Sequence, residues 1–299
     1  TALGDYLMQR SLPLQQGRLS DAQIQQYWDD GFLFPIRVMD EDTAKDYRRQ
    51  LEAMEDIWLD NGLPRPLNSY KRVNAHLVMP FAFEIGQHPA MLDVVEGILG
   101  PDVMIYSVEF FIKEASSPHI VTMHQDLTYW GLGETSGMVT AWLALSSATP
   151  QSGCMDFVKG SHKQPIQPHH DSFDENNLLS RGQEIAVDVA DEDKTPIEIH
   201  PGQISLHHGL TIHGSGPNVS DDRRIAVVVR YVRPDVQQIV GGKDYATLVR
   251  GTDTHQNFEP VTRPDRLFDP EDMKRYDQIA SEQAKAKMAG AAKQAEIYR

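Results

Sequence analysis

Apolar residues keep three- and four-residue spacing through the first third of the chain, then gather into short runs separated by turn residues. The spacing predicts helices first and strands afterwards. Ser20-Asp21-Ala22-Gln23 has the layout of a capping box, and Gly31 stops the helix it opens. A second helix is predicted from Glu41 to about Asp60, with Ala44, Tyr47, Leu51, Met54 and Trp58 on one stripe and Asn61-Gly62 at its end. A third covers His88 to Leu99 and stops at Gly100-Pro101. Strands are predicted at Val103–Ile112, Val139–Leu145, Met155–Val158, Ile197–His200, Gln203–His208 and Ile225–Val232. Short strands between Gly, Pro, Ser and Asp suggest a sandwich or barrel. The polar stretch from Pro165 to Lys194 is long for a loop, which points to function or mobility. Asp269-Pro270-Glu271 opens a C-terminal helix predicted to run to Arg299. With no internal repeat or linker, the expectation is one mainly β domain over 1–299. Its helical part covers about 20–100, its β core about 101–250 and its helical extension about 269–299.

The composition narrows the function. The chain has 299 residues, 40% of them hydrophobic, enough for an ordinary core. No apolar run approaches the roughly 18 residues of a membrane span. The first residues, Thr1 to Asp5, lack the basic-then-apolar layout of a signal peptide, and Cys154 is the one cysteine. Both fit a reducing, cytoplasmic setting. A net charge of −15 disfavours nucleic-acid binding, which needs clustered Lys and Arg. The expected partner is a small molecule, and the oligomeric state is not legible.

Candidate chemistry begins at His124-Gln125-Asp126. Residues two apart on a strand share a face. A His and a carboxylate so placed, joined by a second His, make the two-His-one-carboxylate set that holds non-heme Fe(II) and leaves positions open. His200, His207, His208 and His213 all compete for the second His. Arg224 follows His213 by eleven residues, and Gly214, Gly216 and Pro217 suit a turn that would return it beside the metal. An Arg fork suits the far carboxylate of a 2-oxo acid. Arg223 competes for the inward position, because neighbours on a strand face opposite ways. Trp142 reads as core or as cosubstrate wall. Tyr129 and Trp130 read as substrate-pocket wall. His208 is a core residue with a chance of lining that pocket. Cys154 reads as a small buried hydrophobe.

Taken together, Met123-His124-Gln125-Asp126, Ser152-Gly153-Cys154-Met155, Gly160-Ser161-His162, His213-Gly214-Ser215-Gly216-Pro217-Asn218 and Arg224 resemble the phytanoyl-CoA dioxygenase family of Fe(II)/2-oxoglutarate-dependent oxygenases, over about residues 20–250. The resemblance implies a double-stranded β-helix, or jelly roll, with iron at its mouth. It implies His124, Asp126 and His213 as metal ligands and Arg224 as the 2-oxoglutarate clamp. It places Trp142, Ser215, Lys71 and Tyr106 at or near cosubstrate-binding positions. The implied reaction consumes O2 and 2-oxoglutarate, releases succinate and CO2, and hydroxylates a substrate. Related halogenases carry a small residue where this chain has Asp126, so the carboxylate favours hydroxylation.

Two other readings compete: a metal-dependent cupin-type enzyme that does not use 2-oxoglutarate, and a ligand-binding jelly roll without catalysis. The family name suggests a CoA thioester, yet no basic patch for CoA phosphates is visible. Free amines, amino-acid derivatives, phosphonates and natural-product intermediates fit equally.

Overall fold

The computed structural model describes residues 12–60, 62–128, 130–171, 176–179, 183–186 and 189–287. Ser20 and Gln23 exchange the two hydrogen bonds of the predicted cap, opening α1 (Asp21–Asp30). Gly31 ends it in the left-handed region, at φ 87°. Asp40 caps α2 (Glu41–Trp58) by accepting from the Thr43 N–H at 2.7 Å. Two helices follow that no spacing predicted, α3 (Leu67–Arg72) and α4 (Pro80–Gly86). Six and seven residues are too few to establish a period. Then come α5 (Pro89–Leu99) and, far downstream, α6 (Pro270–Lys287). The predicted continuation of α6 to Arg299 lies outside the described residues, as does Tyr129.

The strands are β1 (Phe32–Arg37), β2 (Val103–Lys113), β3 (Val121–His124), β4 (Met138–Ala144), β5 (Met155–Val158), β6 (His169–Asp171), β7 (Gln183–Ile185), β8 (Lys194–Ile197), β9 (Gln203–His208), β10 (His213–Ser215), β11 (Arg224–Val232), β12 (Asp244–Arg250) and β13 (Phe258–Pro260). A seven-stranded sheet runs β1-β9-β4-β11-β2-β12-β13 and a four-stranded sheet runs β3-β10-β5-β8. β6 and β7 form a ribbon of their own inside the 165–194 stretch. The strand predicted at Ile197–His200 falls earlier, on β8. Ile199 makes a lone bridge to Ala148, and the His200 N–H donates to Gln203 Oε1 where the chain turns.

The two sheets face each other across Trp142, Ala144, Ala226 and Val228 on one side and Met155, Phe157 and Ile197 on the other. This is the double-stranded β-helix. The outer face of the large sheet is covered by the helices. On β4, Val139, Ala141 and Leu143 join the helical core while Thr140 and Trp142 turn inward. On β11, Ile225, Val227, Val229 and Tyr231 face the helices, whereas Arg224, Val228 and Arg230 face the interior. Burial on both faces explains why these strands read as nearly continuous apolar runs. In β2 one extra residue, Tyr106, stands between the partners of Arg230 and Tyr231. That bulge reverses the alternation, so Ile105 and Val108 both pack on the helices, and Phe111 turns inward. Among the described residues no helix is long and apolar enough to cross a membrane.

Candidate metal centre

His124 ends β3 and pairs directly with His213, the first residue of β10. Asp126 does not share the strand with His124, as its spacing predicts. It opens a single helical turn, Asp126–Thr128, just beyond the strand end. The turn still brings its carboxylate back: Oδ1 lies 3.5 Å from His124 Nε2 and 4.0 Å from His213 Nε2. One ligand atom from each of the three residues lies within 4.8 Å of the other two. Bonds of about 2.0–2.2 Å to a shared ion would set such atoms roughly 3–4 Å apart. Each imidazole is oriented by its other nitrogen. Nδ1 of His124 donates to Thr122 O and Nδ1 of His213 donates to Thr211 O, both at 2.9 Å. A carbonyl can only accept, so Nε2 of each ring is left bare toward the centre.

The electrostatics agree with a ligand set. Burial penalises the Asp126 carboxylate, but Arg230, His124, His207 and His213 outweigh it and hold its pKa well below the ordinary 3.8. Burial first, then His124 and His207, push His213 well below 6.5. At neutral pH the centre therefore offers a carboxylate anion and an uncharged imidazole at those positions. Such a set suits a first-row divalent ion with open positions, as in two-His-one-carboxylate iron sites.

The centre opens into a cavity whose walls include Phe111, Trp142, Met155 and Val228. Arg224 and Ser215 also line it. Arg224 is 1% exposed, and its guanidinium carbon lies 5.2 Å from the Trp142 ring. One nitrogen, Nη1, donates to Gly153 O at 2.9 Å, while buried Nε and Nη2 have no hydrogen-bond partner among the described residues. Burial lowers its pKa to about 10, still well above neutrality. Lys113, opposite Arg224 in the ladder, donates to Ser215 Oγ at 2.7 Å and to Gly216 O. A buried guanidinium with two unsatisfied donors fits a carboxylate. Arg223 points the other way, to Glu55 and Glu114 at 2.8 Å each.

A family model described as phytanoyl-CoA dioxygenase matches residues 27–226, about two thirds of the chain. The chain belongs to the phytanoyl-CoA dioxygenase family. A probable phytanoyl-CoA dioxygenase of Caenorhabditis elegans is 27% identical over 167 residues, 54% of each chain. A probable alpha-ketoglutarate-dependent hypophosphite dioxygenase of Stutzerimonas stutzeri is 25% identical over 175 residues, 58% of this chain and 60% of that one. The chain thus spans about half the length of the curated relatives it matches. Among solved structures, the apo form of the non-heme monooxygenase ThoJ superposes with a TM-score of 0.80 at 30% identity, over 89% of this chain and 98% of that one.

Several positions that the family resemblance suggests do not reach the cavity. Lys71 is tied to Glu55 at 2.5 Å on the helical side of the sheet. Its neighbour Arg72 instead reaches over the Phe111 ring, at 4.1 Å, and donates to Leu178 O at 2.9 Å. Tyr106 donates to Asp244 Oδ2 at 2.6 Å, because the bulge places it in a separate apolar cluster. Trp130 lies beneath Arg230, with the guanidinium carbon 4.3 Å from its ring, and does not line the cavity. His208 turns outward, its Nδ1 accepting from the Leu210 N–H and its ring packed near His162 and Trp28. His207 is the inward one of the pair and lines the cavity. The clue was strand parity: His208 alternates with apolar Ile204 and Leu206, and His207 with polar Ser205. Arg230 was also missed, though it shares the parity of Arg224.

Proposed function

We propose that this chain is an Fe(II)- and 2-oxoglutarate-dependent oxygenase that uses O2 to hydroxylate a small molecule, with release of succinate and CO2. One observation carries the reading: three ligand atoms converge at one part of a cavity whose wall also holds a buried guanidinium with two free donors. Family membership and the alpha-ketoglutarate dependence in the name of one relative support it. His124, Asp126 and His213 would hold the ion. The ion, loaded with cosubstrate and O2, supplies the oxidising power. Arg224 would take the far carboxylate of 2-oxoglutarate in its open fork. Since Ser215 Oγ already accepts from Lys113, its own proton is left to donate to that carboxylate. Trp142, Phe111 and Val228 supply apolar wall and keep water from the reacting centre.

The test is succinate formation by protein purified without oxygen and reloaded with Fe(II). His124→Ala and Asp126→Ala should abolish it, and Arg224→Ala should raise the KM for 2-oxoglutarate at least tenfold while leaving metal content unchanged. Turnover that needs no 2-oxoglutarate would instead favour a cupin-type enzyme.

A further inference from the structure

The two oxygens of Asp126 meet different surroundings. Oδ1 faces the two imidazole Nε2 atoms. Oδ2 faces away from them, toward Thr140 Oγ1 at 3.3 Å, His207 Nε2 at 3.5 Å and Arg230 Nε at 3.9 Å. These three residues occupy one transverse row of the large sheet. Thr140 on β4 is the register partner of His207 on β9 and of Arg230 on β11. All three are buried, at 0%, 1% and 8% exposure. Two rows further on, Ala144 and Ala226 are register partners and wholly apolar.

A polar row in a sandwich interior is costly unless it has a partner. Here the partner is a carboxylate approaching from the opposite side. Among the described residues neither ring nitrogen of His207 nor Nε of Arg230 has a hydrogen-bond partner, and Asp126 Oδ2 is the carboxylate oxygen that His207 Nε2 and Arg230 Nε face. Arg230 is itself held in place. It pairs with Glu109 at 2.7 Å, its Nη1 donates to Ser107 Oγ at 3.4 Å, and it rests on Trp130. The Trp130 carbonyl accepts from Gln238, and Gln238 also donates to Asp244. The guanidinium is therefore fixed before any ligand arrives.

We infer that His207, Thr140 and Arg230 are positioning residues for Asp126, seating its Oδ2 so that the carboxylate offers a metal ion Oδ1 alone. One-oxygen binding keeps one more position of an octahedral ion open than two-oxygen binding would. Partners of this kind, lost one at a time, typically cost about 10–100-fold in metal affinity. The inference rests on the metal-centre reading above, and the test separates the two.

Co(II) is titrated into the purified full chain, with affinity read by calorimetry and ligand geometry by the visible absorption of the bound ion. Thr140→Val, nearly isosteric, and Arg230→Met should each weaken Co(II) binding about 10–100-fold and alter the absorption bands. Arg230→Lys should recover part of the loss. Thermal melting without metal accompanies each titration, and Thr140→Val remains informative if Arg230→Met does not fold. Affinities within twofold of wild type and unchanged bands in Thr140→Val, with His124→Ala unable to bind, would overturn the seating role and leave the centre standing. Full Co(II) affinity in His124→Ala would remove the centre itself.

Discussion

Lys113 and Arg224 lie directly opposite each other in the β2–β11 ladder, both 1% exposed. Neither has a carboxylate within ion-pair distance among the described residues. The Arg224 cation shares its buried space with an amine, Lys113, that becomes a second cation only when it takes up a proton, and an anion would neutralise the pair. A buried charge without a counter-ion carries a desolvation cost that an apolar residue of similar volume does not. Arg224→Met should therefore melt no lower than wild type without ligand. Wild type should gain about 2.7 kcal/mol of stability at 2-oxoglutarate a hundredfold above its Kd, and the variant should gain almost nothing. Equal ligand-induced shifts in Tm would sink the clamp role.

Burial and the Arg224 charge depress the Lys113 pKa from 10.5 to about 6. The unfolded chain then binds more protons than the folded one between about pH 6 and 10.5, so this residue makes stability rise with pH across that window. Lys113→Met should flatten the rise, with the largest gain over wild type near pH 6 and little difference near pH 10.5. Urea unfolding across the range checks the slope. Binding an anion beside the neutral amine should also draw in a proton at pH 7–8. Calorimetry in buffers of different ionisation enthalpy would register that uptake.

Gly214 gives β10 its close approach to β3. A Cβ there would lie 2.7 Å from Val121 O and 3.1 Å from Met123 N. Backbone cannot yield as a side chain can, so Gly214→Ala should cost about 1–3 kcal/mol. The same strain should part His213 from His124 and weaken metal binding. Urea midpoints and Co(II) titration read the two effects, and a wild-type midpoint would speak against the packing argument.

Lys71→Met should leave the KM for 2-oxoglutarate within twofold of wild type. It removes a partner of Glu55, whose carboxyl is held below its usual range by Arg223 and Lys71 against the cost of burial. The loss should appear as about 1–3 kcal/mol of stability. A large rise in KM with unchanged Tm would return Lys71 to the site.

The long periodic helices and most core strands were legible in the sequence, because each has a spacing that backbone geometry enforces. The ligand candidates were legible through the family resemblance, which chose His213 among four histidines, while Asp126 reaches the centre from a helical turn and not from the strand its spacing predicts. Lys71 and Tyr106 were misplaced for reasons no spacing reveals. Lys71 lies on α3, six residues whose orientation is set by Glu55 and Arg223 far along the chain. Tyr106 sits at a bulge, and one added residue leaves no mark in a run of apolar letters. His207 and Arg230 were readable in principle. Each shares parity with an inward residue, but their partner, Asp126, approaches from across the sandwich.

β11 separates two kinds of constraint by odd and even numbering alone. Ile225, Val227, Val229 and Tyr231 belong to the helical core, and their replacement is a question of volume. Arg224, Val228 and Arg230 line the cavity, and theirs is a question of chemistry. Varying Val228 alone would reshape the cavity wall while the two arginines keep their tasks, and a library varied only at the odd positions would sample thermostability with the chemistry held constant.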